Sequence, residues 1–456
     1  MATKLAQIDP RWAWSPFQPT VERPFDIAAA AHLYRRAGFA ANRRQLEQAV
    51  TQPPTDVVRQ LVHAEETAGF RDEVDGLAQA MVNSGQVRNL SAAWLYRMIV
   101  TPHPLLEKMT LFWHGHFATS AAKVQDAKMM LDQNNLLRRY ALGRFDKLVQ
   151  EISHDPAMLV YLDSATNRKS RPNENFAREL LELFCLGEGN YSEHDIRELA
   201  RCFSGWQVKR KQFRFSRYQH DFGSKTIFGK TGAFSGEDAV RLVLEQPAAA
   251  RFVAGKLVRF FVLDEPPLPA ALVEPLALQL RDNDYQIAPV VETILGSQLF
   301  FSADSLARKI RSPVELACGL LRALEGSTNT LRLAEQLTEL GQSLFFPPNV
   351  KGWDGGRSWI NSATLLGRAN LVHELLHSEK TRFAGDVAIE GLLARHGVDE
   401  APELVDWLQQ LLLAVPVPPD VRTQLIQLAG GDRQISRKGV FAVIHAMSTL
   451  PEFQLS

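Results

Sequence analysis

Cysteine is scarce: Cys185, Cys202 and Cys318 stand far apart in a chain of 456 residues. Their number and spacing exclude a disulfide framework and a cysteine-rich metal cluster, and fit buried thiols in a reducing compartment. An excess of one charge is also lacking, since 51 basic residues balance 51 acidic ones. That balance argues against a polyanion, and no nucleic-acid partner is expected, although Lys209, Arg210, Lys211, Arg214 and Arg217 form a local basic run. No apolar stretch reaches the roughly 18–20 residues of a membrane span. The N-terminus MATKLAQIDPRWAWSPFQPT lacks an apolar core and a twin arginine, so the cytoplasm is the default expectation. The G-x-S-x-G, H-E-x-x-H, paired C-x-x-C and post-strand G-x-G-x-x-G patterns are absent. Gly229–Lys230–Thr231 fails as the end of a phosphate loop because Ser224 stands where its glycine belongs.

What is present is helical periodicity. Pro10, Pro16, Pro19 and Pro24 make residues 1–25 an extended arm, pinned by Trp12, Trp14 and Phe17. From Asp26, an N-cap, a helical region runs over 26–205. Leu105, Met109, Phe112, Trp113 and His116 form one helical stripe. Asp155–Pro156 caps a further helix. A helix from about Glu174 to Leu186 follows, with Asn173 as its cap and Gly187 as its terminator. Ser192 and Asp195 form a capping box for the next one. Period-two alternation in Gln207, Val208, Phe213, Phe215 and Tyr218 predicts a β-hairpin excursion around 206–228, within a loop region 206–235. Helical signals resume over 236–456. The fold class is mainly α, a multi-helical array with that one hairpin, its two helical regions packed as one unit.

Four constellations could carry chemistry. His114–Gly115–His116 could ligate one metal from extended backbone. In a continuous helix the two rings point about 200° apart, which leaves His116 in the core and His114 on the surface. Glu174, Arg178, Glu179 and Glu182 share the polar face of the helix after Asn173. Their i,i+4 pairs, Glu174–Arg178 and Arg178–Glu182, suit a solvated surface; the same groups could serve a metal or acid–base work. His220–Asp221 lies on a loop after the β segment, with Lys225 close behind. The segment from Phe345 to Leu371 is a constrained loop running into a helix. Its Asn349, Lys351, Trp353, Arg357 and Trp359 could hold an anionic or sugar-like ligand, or anchor the loop to the body.

These segments resemble a large bacterial family, domain of unknown function 1800. The matching residues are AAHLYRRAGF (Ala30–Phe39), PLLEKMTLFWHGHFATS (Pro104–Ser120), DPAMLVYLD (Asp155–Asp163), Asn173–Trp206, HDFGSKTIFG and FPPNVKGWDGGRSWINS (Phe346–Ser362). Tyr34 stands where the family usually has Leu. The resemblance implies a mostly helical fold and no stated activity. It implies that His114, His116, Asp163, Asn173, Glu174, Arg178, Glu179, Glu182, His220, Asp221 and Lys225 are the recurring polar positions. It also implies a partner, a sulfatase-like protein encoded by an adjacent gene. Two readings stay open. One is an enzyme of hydrolase type with a divalent metal on His114, His116 and His220, and with Glu174, Arg178, Glu179, Glu182, Asp221 and Lys225 as catalytic groups. The other is a non-catalytic binding or scaffold protein that uses the Trp loop.

Overall fold

Helix accounts for 59% of the chain, and the sheet among the described residues is two short antiparallel ribbons. The computed structural model describes residues 5–385, 388–431 and 434–456. Among them no helix is long and apolar enough to cross a membrane. The mainly α expectation holds. One continuous cluster of buried side chains runs from Leu5 to Phe453 and draws on both helical regions.

Several local readings survive in atomic detail. The Asp26 side chain accepts from the Ala29 amide at 2.9 Å and starts the helix Ile27–Ala37. Asp155 does the same for Met158 at 2.8 Å, with Pro156 in the first turn. Ser192 and Asp195 close a reciprocal box at the start of Glu193–Cys202. All three cysteines are buried.

Other readings need correction. The arm is not wholly extended: Pro10 opens a one-turn helix, Pro10–Trp14, because proline fits a first helical position and Asp9 caps it. The first four residues of the arm lie outside the described range. Trp14 and Phe17 do pin it, through Trp14 Nε1 to the Leu272 carbonyl at 2.7 Å and Phe17 stacked on Phe301 at 4.5 Å. Trp12 is 40% exposed and does not. The β excursion is two ribbons. β1 (Trp206–Lys209) pairs with β2 (Gln212–Phe215), and β3 (Lys225–Ile227) pairs with β4 (Lys230–Gly232). The second ribbon has three residues per strand, too few to leave a period-two signal.

The helix carrying His114 and His116, Pro104–His116, is fixed by a buried ionic knot. Glu107 is fully buried. Arg97 and Arg138 stand 2.7 and 2.6 Å from its Oε1, and Trp94 Nε1 donates to Oε2 at 2.7 Å. Three helices, Val87–Val100, Pro104–His116 and Ala127–Arg139, therefore meet at one carboxylate. Burial by itself would raise the Glu107 pKa, but Arg138, Arg97 and the Trp94 donor together hold it below the ordinary value.

Glu107→Gln leaves the buried Arg138 guanidinium without a counter-charge, while Arg97 keeps Glu66 and Asp75, and should cost about 3–5 kcal/mol in denaturant unfolding. Because the folded-state pKa is depressed, this contribution is present above the unfolded carboxylate pKa. It is lost as pH falls through the folded value, so the gap between wild type and variant should close in acid.

Candidate functional site

A cleft of about 590 Å³ opens where five segments meet. The last turns of Pro104–His116 give Phe112, Gly115 and His116. The stretch after Asn173 gives Glu182, Leu183 and Glu188. The helix Pro247–Phe261 gives Phe252, Lys256, Arg259 and Phe260. Lys309, Glu315, Lys351, Trp353 and Trp359 close the remaining walls.

The wall that carries Glu182 is not an ordinary helix. Asn175–Glu179 is α-helical, but Leu180–Cys185 is a π-turn. The amides of Leu186 and Gly187 both bond the Leu181 carbonyl, at 2.8 and 3.1 Å. The carbonyls of Leu183 and Phe184 are thereby left for side chains. His116 Nε2–H takes Phe184 O at 3.0 Å, and Lys256 Nζ lies 3.4 Å from Leu183 O. Such turns recur at functional sites because they re-aim the residues they carry.

The histidines are not gathered. The helix continues through Gly115 to His116, so the two rings diverge. His114 is not on the surface, as helical spacing suggested, but 1% exposed, because the segment from Phe345 folds over that side. Its Nε2 accepts the Phe345 amide at 3.1 Å, its ring packs against Trp94 and Trp353, and burial lowers its pKa to about 4. His116 is also held neutral, by burial and then by the charge of Lys256. With Nε2–H donating to Phe184, its Nδ1 lone pair is buried without a partner. His220 donates Nδ1–H to the Ser204 carbonyl at 2.8 Å, between Phe215 and Phe222. Among the described residues no three His, Cys, Asp or Glu side chains stand where they could hold one metal.

The acidic face divides in two. Arg178 forks onto Glu193 with both bonds at 2.9 Å and reaches Glu174 at 3.4 Å; this half is a solvated ion-pair cluster. The i,i+4 pair Arg178–Glu182 does not form, because the wide turn carries Glu182 off that face. Glu182 instead accepts the Tyr191 hydroxyl at 3.2 Å and lines the cleft. Glu179 is half-buried beside it. Burial, then the charge of Glu182, push the Glu179 pKa above its ordinary value, against the pull of Lys351 and Arg178.

A family model described as "Protein of unknown function (DUF1800)" matches residues 32–455. The chain belongs to the DUF1800 family. No curated protein and no solved structure matches it.

The remaining DUF1800 positions lie apart from the cleft lining. Asp221 pairs with Arg201 at 2.7 Å and takes the Gly223 amide at 2.8 Å. Lys225 is buried and donates to three carbonyls, those of Asp221, Gly223 and Phe234. Together with His220 they stitch the β excursion to the helix Glu193–Cys202. Asp163 pairs with Lys123 at 2.7 Å, and Asn173 accepts the Asn175 amide at 3.0 Å.

In the Trp loop, Lys351, Trp353 and Trp359 face the cleft, whereas Asn349 and Arg357 are exposed. Asn349 Oδ1 accepts the Lys351 amide at 2.8 Å, and Arg357 pairs with Glu265 at 3.2 Å. Trp353 Nε1 bonds the Gly341 carbonyl at 3.1 Å.

Sequence reasoning missed the wall made by Lys256, Arg259, Lys309 and Glu315. A signal existed: Lys256 interrupts the apolar run FVAGKLVRFF. Lys309 is matched by Asp264 at 2.5 Å, and Glu315 is matched by Lys108. Burial, with the like charge of Arg259, brings the Lys256 pKa down to about 8, so it still carries its proton at pH 7.

The Trp loop reaches the cleft only because Gly352 touches Gly115. A Cβ on Gly352 would lie 2.2 Å from the Gly115 carbonyl oxygen, and its φ is +78°. At Gly355, φ is +74° but the space is open. Gly352→Ala should therefore lose stability through this clash as well as through positive-φ strain, and should release Trp353 to solvent, whereas Gly355→Ala carries backbone strain alone. Equal thermal shifts and equal tryptophan emission in the two variants would remove this contact from the account.

Proposed function

We propose that this DUF1800 protein is a helical enzyme whose cleft performs hydrolysis-type acid–base chemistry on a small polar substrate. The carrying observation is the carboxylate pair Glu179 and Glu182, near enough in one wall for the charge of Glu182 to act on Glu179, with Glu182 lining the cleft. Two like charges at one site favour keeping a proton on one of them. Both are half-buried, and Glu179 is the member whose pKa is raised; it acts as proton donor to the leaving group. Glu182, turned toward the cavity by the π-turn, acts as the partner that orients and polarises water. Lys351 balances the charge that appears on Glu179 once it has given up its proton, and Trp353 and Trp359 give the substrate a flat apolar wall. The reading draws on neither His114 nor His220, whose ring nitrogens serve the Phe345 amide and the Ser204 carbonyl.

The test is turnover of a panel of 4-nitrophenyl esters and glycosides. Glu179→Gln should lower kcat by about 10²–10⁴ with little change in melting temperature. The alkaline limb of the rate profile should lie above the ordinary carboxylate range, because the rate needs protonated Glu179. Hydrolysis that survives unchanged in both Glu179→Gln and Glu182→Gln would remove the assignment.

A second reading, the partner-binding protein, is favoured by a different observation. Tyr218 is 90% exposed, with Phe222 at 57% and Phe215 at 49% beside it, whereas Trp359 is buried. If this chain serves an adjacent-gene sulfatase-like partner, the β excursion is the contact rather than the Trp loop. Co-purification lost in Tyr218→Ser but kept in Trp353→Ala supports it; the reverse pattern rejects it.

A further inference from the structure

The cleft contains a cation without a counter-charge. Lys256 projects into the cavity from Pro247–Phe261. Its ammonium has one long hydrogen bond, 3.4 Å to Leu183 O, and lies 4.7 Å from the centre of the Phe252 ring. Among the described residues no carboxylate pairs with it, and the neighbouring charge that acts on it is the like charge of Arg259. Lys309, on the same wall, is not in that position, since it has Asp264, and the exposed Arg259 reaches the Asp354 carbonyl at 3.1 Å. A half-buried ammonium held this way is short of hydrogen-bond acceptors.

A second unsatisfied atom lies on a residue of the lining, buried beneath the surface of the cleft. His116 is 5% exposed, and its Nδ1 accepts from nothing. The π-turn explains both. It fixes His116 and Lys256 by their contacts to adjacent carbonyls, Phe184 O and Leu183 O. What remains free on the cavity side is the capacity of Lys256 for two further donor bonds. The walls around them are aromatic: Phe112, Phe252, Phe260 and Trp353.

We propose that the cleft takes an anionic ligand, a carboxylate or phosphate borne on a flat apolar body, with the anion on Lys256. This rests on the cleft being the substrate site and names the class of compound it accepts. The aromatic wall covers the body, and the ammonium gains the acceptors it lacks. An uncharged analogue of the same shape would fill the cleft and leave Lys256 as it stands.

Benzoate, phenyl phosphate and benzamide test this as shape-matched probes, with dissociation constants from ligand-detected NMR at pH 7. At least one of the two anions should bind roughly tenfold more tightly than benzamide, since hydrogen bonds to charged groups are worth about that factor. Which anion is preferred separates a carboxylate ligand from a phosphate ligand. The preference should fall below about twofold in Lys256→Met and survive in Lys256→Arg, which keeps the charge and guards against a folding defect. Benzamide binding as tightly as both anions, a preference that persists in Lys256→Met, or no saturable anion binding by the wild type each overturns the proposal. Turnover measured on the same samples keeps the two ideas apart. Glu179-dependent hydrolysis with no anion preference sinks the ligand class alone. Anion preference with hydrolysis unaffected by Glu179→Gln sinks the acid–base reading alone.

Discussion

The cleft depends on one irregular turn. Between Leu180 and Cys185 the hydrogen bonds of the helix widen, and two amides converge on the Leu181 carbonyl. Main-chain carbonyls in a buried wall need partners. Here the partners are side chains from two other helices, His116 and Lys256. The turn thus ties three elements together. It also swings Glu182 away from Arg178 and toward the cavity, beside Glu179. An uninterrupted α-helix would have kept Glu182 in an i,i+4 pair on a wet surface.

Rigid supports hold the rest of the cavity to that turn. The knot around Glu107 locks the helix that ends in His116. Glycine-to-glycine contact between Gly352 and Gly115 seats the Trp loop on the last turn of the same helix, and His114 receives the loop's Phe345 amide. His114 therefore acts as an acceptor for backbone, a role that needs a neutral ring, which its burial supplies. The His220, Asp221 and Lys225 group does similar work elsewhere, closing the β excursion onto the helix Glu193–Cys202. Chemistry-bearing residue types recur in this fold as structural fasteners, and only some of them face the cavity.

The sequence made the helices legible because caps and stripes are local signals. Asp26, Asp155, Ser192 and Gly187 each mark an end that the structure keeps. The half of the site contributed by Glu179, Glu182, His116 and the Trp loop was visible as residue types. Its grouping was not, since a constant advance per residue cannot show a π-turn, and Glu182 was assigned to the wrong neighbour for that reason. His114 was placed on the surface because helical phase says nothing about a distant loop that covers it. Lys256 went unnoticed for a related reason: one lysine in an apolar run reads as a snorkelling side chain until its surroundings are known. Long-range packing decides such cases.

The central claim is that Glu179 and Glu182 act as an unequal acid pair, with Glu182 on the cleft lining. Carboxyl-carbon NMR titration of glutamate-labelled protein measures it directly. Glu179 should titrate above the ordinary glutamate value of 4.5, and Glu182→Gln should bring it back down by removing the like charge. A Glu179 carboxyl that titrates at or below that value in the wild type, or does not respond to the loss of Glu182, would contradict the account.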